Sequence, residues 1–559
     1  MNNDAIADQL SLLSKLMDIH GENSFKTKSY ASAAFTIEKL PEQLSTLSKE
    51  KISSIRGIGE SVGSKIMELL ETNELKLLDE LISATPEGVL EMMNIKGLGS
   101  KKINVIWKEL NITTVDELRT ACKENRIAEK KGFGEKTQEK ILEALAFNEQ
   151  TSGSYLYARL ESFVAAFKNK IAEEFGGYKL EVTGSFRRQL EVIDKLEWVT
   201  TIPKKELKRY LTDAGMNVLS ESNKTLVADS DNTLVMEFHL AQAENFITTL
   251  FKTSCHHDFL EAFIKLDGWD AEENYEGETD IFKSVRLQKI PPFIRETSEI
   301  ITLAKVNKVP KVIQTGDVKG LIHSHSNWSD GASTIEEMAV ALVGLGFEYL
   351  VISDHSKAAF YANGLNEQRI KEQHKYIDTI NKKLAPFKIF KSIECDILSD
   401  GALDYSAKVL ASFDLVIASV HSNLQMKEEK AMMRLLSAVE NPYITILGHP
   451  TGRRLLKRPA YPVDHKALID ACALHGVVIE INANPQRLDM KWEWVSYALS
   501  KNLFLSINPD AHTINEFQNI KYGVLVAQKG GLTKEGNLSS FSLEQFEEFL
   551  QQRRKLKGI

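Results

Sequence analysis

The sequence predicts a multidomain protein of α and α/β class, 559 residues long. Three observations carry that expectation. Short glycine loops recur among helical patterns in the first 150 residues, the next stretch mixes strand and helix signals, and from about residue 317 apolar strands alternate with amphipathic helices. At about 150 residues per domain the length fits three or four domains, and the segments are placed at 1–150, 151–316 and 317–559. Hydrophobic residues at 43% and charged residues at 26% are ordinary for a globular protein. Cys122, Cys255, Cys395 and Cys472 lie far apart with no C-x-x-C pair, which points to a reducing, cytoplasmic setting rather than a disulfide framework. The N-terminus M-N-N-D-A-I-A-D has no basic segment followed by an apolar run. No stretch approaches the roughly 18 apolar residues of a membrane helix. Membrane and secreted classes are excluded.

In the first segment the loop Ile55-Arg56-Gly57-Ile58-Gly59 recurs as Ile95-Lys96-Gly97-Leu98-Gly99, with a looser third copy in Lys131-Gly132-Phe133-Gly134. Helical apolar patterns follow the first two: Val62, Ile66, Leu69 and Leu70, then Ile103, Ile106, Trp107 and Leu110. A tight glycine turn opening onto a helix resembles the helix-hairpin-helix DNA-binding motif. Paired glycines let the backbone approach a phosphate, and a helix N-terminus offers unpaired N–H donors. Gly57, Gly59, Gly97 and Gly99, with Lys101 and Lys102 just beyond, are therefore candidate DNA contacts. A plain helical corner with glycine caps is the alternative, and a threefold repeat disfavours it. The net charge of −8 leaves no segment with the bulk positive charge of a duplex-binding domain. DNA contact must rest on local basic clusters, backbone N–H groups or metal ions.

The middle segment reads as mixed α/β and leaves through Ile290-Pro291-Pro292. In the last segment predicted strands end at Ile322, Ser353, Ile393, Val420, Leu447, Ile481 and Ile507, with helices at 334–346, 366–384, 428–439 and 465–475. This alternation means a parallel sheet or a β/α barrel. Chemistry-bearing residues follow the strands: His323, His325 and Asp330, then His355, Glu394, His421, His449, Asp510 and His512. In a parallel barrel the C-terminal strand ends converge on one mouth. Spacing of i, i+2 on an extended segment puts His323 and His325, and likewise Asp510 and His512, on one face. Imidazole with carboxylate is a ligand set for zinc, manganese or iron. A lone histidine at a strand end is more often a capping residue, but six of the 13 histidines clustered after strands are not.

The runs H-S-H-S-N-W-S-D-G, S-D-H-S, E-C-D, V-H-S, G-H-P and D-A-H resemble the polymerase-and-histidinol-phosphatase (PHP) domain. The resemblance implies a distorted seven-stranded β/α barrel in which all nine residues hold three divalent ions (zinc, manganese or iron) for phosphoester hydrolysis. Arg453 and Arg454, beside Lys457 and Arg458, form a basic cluster suited to gripping phosphate. The whole chain resembles the bacterial family X DNA polymerases that carry this domain. That implies a helical helix-hairpin-helix, lyase-like region, then fingers, a nucleotidyltransferase-like α/β palm and thumb, then the barrel. Gly184-Ser185-Phe186-Arg187-Arg188 matches the motif that opens the palm.

The palm's catalytic centre departs from the family. Where the resemblance implies D-x-D stands Lys195-Leu196-Glu197, and the third aspartate corresponds to Glu237. Thr253-Ser254-Cys255 replaces a T-G-S nucleotide contact. A cation in place of a carboxylate predicts that the palm does not retain magnesium or manganese for nucleotide transfer. Asp194 is adjacent, but a one-residue slip on a strand turns its side chain to the other face. Lys65 falls near the family's Schiff-base lysine, with a phosphate contact as its plainer role. The expected function is a DNA-processing phosphoesterase, a 3′-to-5′ exonuclease or an abasic-site endonuclease in repair. It would act as a monomer on gapped, recessed or abasic DNA. The alternatives are an active gap-filling polymerase with an editing nuclease, a non-catalytic DNA scaffold with structural metals, and a small-molecule phosphatase.

Overall fold

The computed structural model describes residues 1–38, 40, 42–93, 95, 97–230 and 234–558; Lys96 of the second glycine loop lies outside them. They gather into two units, Met1–Ser152 and Gly153–Ile559. The first unit is helical throughout. Ile6, Leu10, Leu13 and Met17 recur at helical spacing along Asn3–His20, and that stripe is buried together with Tyr30, Ala33 and Ile37 of Ser24–Glu38. The three glycine loops share the turn at their first glycine. Gly57, Gly97 and Gly132 have φ of 96°, 88° and 96°, a conformation that a side chain would strain. The residue between the glycines (Ile58, Leu98 or Phe133) is buried. The second glycine caps a helix: Glu60–Thr72, Ser100–Asn104 or Glu135–Thr151. The loosest copy in sequence keeps the turn and the buried residue but departs at its second glycine, since Gly134 has φ of 66° where Gly59 and Gly99 have −79° and −74°.

The second unit begins with a five-stranded sheet built from β1 (Leu180–Thr183), β2 (Leu196–Thr200), β3 (Asn217–Glu221), β4 (Thr225–Ser230) and β5 (Leu234–Leu240). Its order is β1-β2-β5-β4-β3, with only the β2–β5 pair parallel. Trp198 and Phe238 fill the core face. On the other face Thr183, Glu197 and Glu237 stand level across β1, β2 and β5. Four short helices follow, Phe246–Thr253, His257–Phe263, Glu278–Ser284 and Glu299–Lys305. They close around Phe251, Phe259, Phe263 and Phe282.

The rest is a barrel. Its strands are β6 (Gly320–Ser324), β7 (Tyr349–Ile352), β8 (Lys388–Lys391), β9 (Glu394–Asp396), β10 (Ile417–Ser419), β11 (Ile446–Leu447), β12 (Val478–Asn482) and β13 (Leu505–Asn508), all parallel to their neighbours. β8 and β9 are one strand broken at Ser392-Ile393: the first half pairs with β7 and the second with β10. Bridges from His355 to Glu394 and from Ser324 to Ala511 close the ring. That resolves the sheet-or-barrel alternative in favour of a seven-stranded barrel with an irregular wall.

The sequence places a boundary near residue 316, yet sheet and barrel belong to one unit. Polar bridges join them. Arg453 Nη2 lies 2.7 Å from Glu191, Lys521 Nζ lies 2.7 Å from Glu161, and the fully buried Lys529 ammonium meets Glu296. Long-range pairs of this kind leave no local mark in the chain.

Candidate metal centre

The nine residues expected at the barrel mouth come together. Glu394, buried at the start of β9, is the hub. Its Oε1 lies 2.9 Å from His449 Nε2, 3.1 Å from His421 Nε2 and 3.3 Å from His323 Nε2, and its Oε2 lies 3.0 Å from His355 Nδ1. Asp510 Oδ1 stands 3.2 Å from His325 Nε2 and 3.6 Å from His323 Nε2. Asp330 stands 3.7 Å from His355 and 3.6 Å from His512. Two ligands each about 2.0–2.1 Å from a tetrahedral zinc lie about 3.3 Å apart, so these separations suit the edges of coordination polyhedra. His323 Nε2, both ring nitrogens of His325, His355 Nδ1, His449 Nδ1 and Glu394 Oε2 are buried without a hydrogen-bond partner. Such orphaned polar atoms are costly unless something satisfies them, and an imidazole–carboxylate set fits a divalent ion.

The backbone is unusual where the ligands leave the strands. His323, His449 and Asp510 have φ of 61°, 25° and 53°. Non-glycine residues in this region carry strain, which concentrates at functional sites. The expectation that His323 and His325 share one face of a straight extended segment therefore needs correction. β6 is irregular between Leu321 and Ser324, and that kink rather than simple alternation brings both rings to the centre.

Electrostatics follow from burial and crowding. Burial opposes charge on His421, but Glu394 and Asp396 outweigh it and push the imidazole up to about 10. His512 rises to about 9 against burial because of Asp330 and Asp510. His325 falls to about 3 through burial, with His512 and His355 adding to the fall. For Asp330 burial is outweighed by His512 and His355, which bring it down to about 2. The carboxylate field that holds protons on His421 and His512 is a field that favours a divalent ion.

Several supporting residues escaped sequence reasoning. Glu480 Oε1 lies 2.6 Å from His323 Nδ1, and its Oε2 accepts from the His449 backbone N–H at 2.6 Å. Asp396 holds His421 Nδ1 at 3.2 Å. Asp354 accepts from Ser326, Ser329 and Gln373 and so shapes the loop that carries Asp330. Arg487 Nε lies 3.6 Å from Asp510. A signal for Glu480 existed: it is a lone charge inside the apolar run Val477-Val478-Ile479-Glu480-Ile481, on the one predicted strand with no ligand at its end.

Comparison with known proteins agrees with this geometry. A helix-hairpin-helix domain family matches residues 1–75, a SAM-like helix-hairpin-helix tandem matches 89–146, and the PHP domain family matches 322–505. The chain is 33% identical to the DNA polymerase/3′-5′ exonuclease PolX of Bacillus subtilis (strain 168), over 97% of this chain and 98% of that one. The chain belongs to the family X DNA polymerases with a C-terminal PHP domain. It is also 26% identical to a protein named "Probable phosphatase" from Caldanaerobacter subterraneus, over 42% of this chain and 92% of that one. As a member of family X it is a DNA-processing enzyme with a PHP phosphoesterase-type domain.

The three positions expected to depart from the family's palm lie together. Glu197 and Glu237 pair in register on parallel strands, and Lys195 Nζ lies 2.5 Å from Glu237 and 3.7 Å from Glu197. Burial opposes the charge of Lys195, but these carboxylates hold its pKa above the ordinary lysine value. Asp194 takes no part; it accepts from Ser154 Oγ at 2.6 Å. A Cβ on Gly184 would sit 1.9 Å from Glu197 Oε2, so glycine makes room for the longer carboxylate. His239 stands 3.5 Å from Glu197. Arg187 pairs with Glu278, and Arg188 with Glu296.

Arg453 requires a correction. Its side chain is 5% exposed and held by Glu191 and the Leu488 carbonyl, so it fastens the barrel to the palm and is not a surface grip for phosphate. Arg454 remains half-buried, donating to Gln486 at 2.6 Å. In the first unit, Lys101 is exposed and Lys102 lies 5.9 Å from the Phe133 ring. Lys65 Nζ is 2.6 Å from Glu68. An ammonium held by a carboxylate is unlike the desolvated amine that Schiff-base chemistry uses.

Proposed function

We propose that the chain is a metal-dependent phosphodiesterase acting on DNA, a 3′-to-5′ exonuclease or abasic-site endonuclease of repair, with its palm retained for binding rather than nucleotide transfer. One observation carries this reading: buried imidazole nitrogens without hydrogen-bond partners converge on three carboxylates at the barrel mouth. Three divalent ions (zinc, manganese or iron) would be held among His323, His325, Asp330, His355, Glu394, His421, His449, Asp510 and His512, which fall into overlapping clusters of three or four. When bound, such ions supply an acidified water and a neutralised leaving oxygen. The chain's own groups do the positioning. Glu480 and Asp396 hold the Nδ1 atoms of His323 and His421, leaving each Nε2 for the centre. Arg487, Arg454 and Arg458 feel one another's charge beside Asp510 and suit a phosphate backbone.

In this reading residues 1–150 hold DNA through the glycine loops, 151–316 position it and 317–559 cut it. Gapped, recessed or abasic DNA is the substrate, and the enzyme works as a cytoplasmic monomer. Among the described residues no helix is long and apolar enough to cross a membrane. The test is to incubate the protein with labelled gapped, recessed and abasic DNA plus manganese, with and without nucleotides. Shortening of the strand without nucleotides supports the reading; nucleotide-dependent extension without shortening overturns it.

A further inference from the structure

A short loop leaves the barrel after His355 and returns at Leu365, with its neck closed. Ser356 bridges Leu365, and Leu365 N–H donates to the His355 carbonyl at 2.8 Å. A Cβ on Gly364 would lie 1.9 Å from the Ser356 carbonyl oxygen, so the neck fits only glycine. One flank is fastened where Lys357 N–H donates to Tyr405 Oη at 3.1 Å and Ala358 N–H donates to Asp404 at 2.6 Å. The other is fastened where Asn363 Nδ2 donates to the Trp328 carbonyl at 3.2 Å, beside the segment bearing Asp330. Arg369 donates to the Asn363 carbonyl at 2.7 Å and locks the turn.

The tip is bare. Phe360 is 84% exposed and Tyr361 66% exposed, with ring centroids 5.8 Å apart in an edge-to-face pair. A loop tied down at both flanks and at its neck ends in two large rings that are mostly exposed. It sits beside the metal centre: the loop leaves directly after His355, closes onto the His355 carbonyl, and is tied by Asn363 to the segment that carries Asp330. The mouth therefore offers guanidinium groups and free aromatic faces together, the two chemistries that a nucleic-acid strand alternates as phosphates and bases. Most of the candidate ligands are buried, so a strand must descend to them singly rather than as a duplex. Every base has a π-face, and stacking on protein rings tolerates any sequence.

We propose that Phe360 and Tyr361 form a stacking platform for the terminal base of a single-stranded DNA end, holding that end over the metal centre; this rests on the hydrolytic reading given above. The platform makes Phe360 and Tyr361 positioning residues: they bind the base, while the phosphodiester meets the ligands below.

The test uses full-length protein and a single-stranded oligonucleotide ending in 2-aminopurine, whose fluorescence falls on stacking, with a phosphorothioate at the last linkage to prevent cleavage. The wild type should quench that fluorescence. The Phe360→Ala/Tyr361→Ala variant should lose the quench and bind about tenfold more weakly, and with cleavable DNA the loss should fall on KM more than on kcat. Tyr361→Phe and Phe360→Trp should keep the quench, which shows that the loop still folds and that the ring is what matters. Quenching by the double variant equal to wild type, or no quenching by the wild type, overturns the platform. The quench needs no turnover, so quenching without any hydrolysis of cleavable DNA supports the platform and overturns the hydrolytic reading instead.

Discussion

In the palm, Glu197 and Glu237 face an ammonium from their own chain; at the barrel mouth, Glu394, Asp330 and Asp510 face imidazoles with orphaned nitrogens. Both clusters sit on neighbouring strands, and both could be taken for metal sites. The difference lies in what balances the carboxylates. In the palm Lys195 supplies one positive charge in place, and the hydrogen bond it donates leaves Glu237 satisfied. At the mouth the balance is only partial: Arg487 stands beside Asp510 and the carboxylates hold protons on His421 and His512, while Glu480, Asp396 and Asp354 surround the imidazoles with still more carboxylate. The palm too has an orphaned imidazole nitrogen, His239 Nε2, so what sets the mouth apart is the number of such atoms around its carboxylates rather than their presence.

The sharpest test removes a ligand from the mouth. Asp510→Asn or His323→Ala should reduce phosphodiester hydrolysis by at least about a hundredfold, with bound metal falling in parallel, while DNA affinity stays nearly intact. Retained activity above a few per cent would sink the assignment of the site. Plasma emission spectrometry of the purified variants reads the metal directly.

The palm is broken from the other side. Template-directed primer extension on gapped DNA, measured in the Asp510→Asn background, should lie about a hundredfold or more below that of an active family X polymerase, since misplacing a reacting group by about 1 Å costs that much. Lys195→Asp removes the resident cation and adds a third carboxylate. That variant should gain one manganese, seen by titration with electron paramagnetic resonance detection. Robust incorporation by the unaltered palm would refute the comparison and favour the polymerase reading.

The ion pairs that occupy the palm should carry stability. Burial alone would raise the Glu278 carboxyl, but Arg295 and Arg187 overcome it and bring the pKa down to about 2. A depressed folded-state value means that its contribution is present above the ordinary glutamate value of 4.5 and lost as pH falls through about 2. Glu278→Gln should destabilise the protein by about 3 kcal/mol at neutral pH, leaving the fully buried Arg295 charge unpaired. The penalty should shrink in denaturant melts as the pH is lowered from 5 toward about 2, and a penalty independent of pH would contradict the ion-pair account.

The smallest effect concerns the helical unit. Gly57→Val or Gly97→Val forces a branched side chain into φ of 96° or 88°. DNA affinity by fluorescence anisotropy should fall by about tenfold, since base-independent binding rests on several backbone contacts at once, with metal content unchanged. Unchanged affinity in both would return the loops to plain helical corners.

The local patterns were enough for the broad architecture and for the nine residues at the mouth. Glycine spacing announced the repeated loops, strand–helix alternation announced the barrel, and histidines placed just past apolar strands announced the convergence, because each signal resides in a few adjacent residues. The ammonium at Lys195 was equally legible, being a matter of residue type at one position, although its pairing with Glu237 was not. What tertiary structure alone decided depends on partners far apart in the chain. Arg453 reads in sequence as one more surface cation, and only folding brings Glu191 to it, 262 residues away. Glu480 becomes a support for His323 only when the barrel closes, since the two are 157 residues apart. The kink at His323 and the fusion of palm with barrel are likewise settled by closure and by buried ion pairs. Contacts of this kind arise when distant segments are packed together, and neither periodicity nor spacing records them.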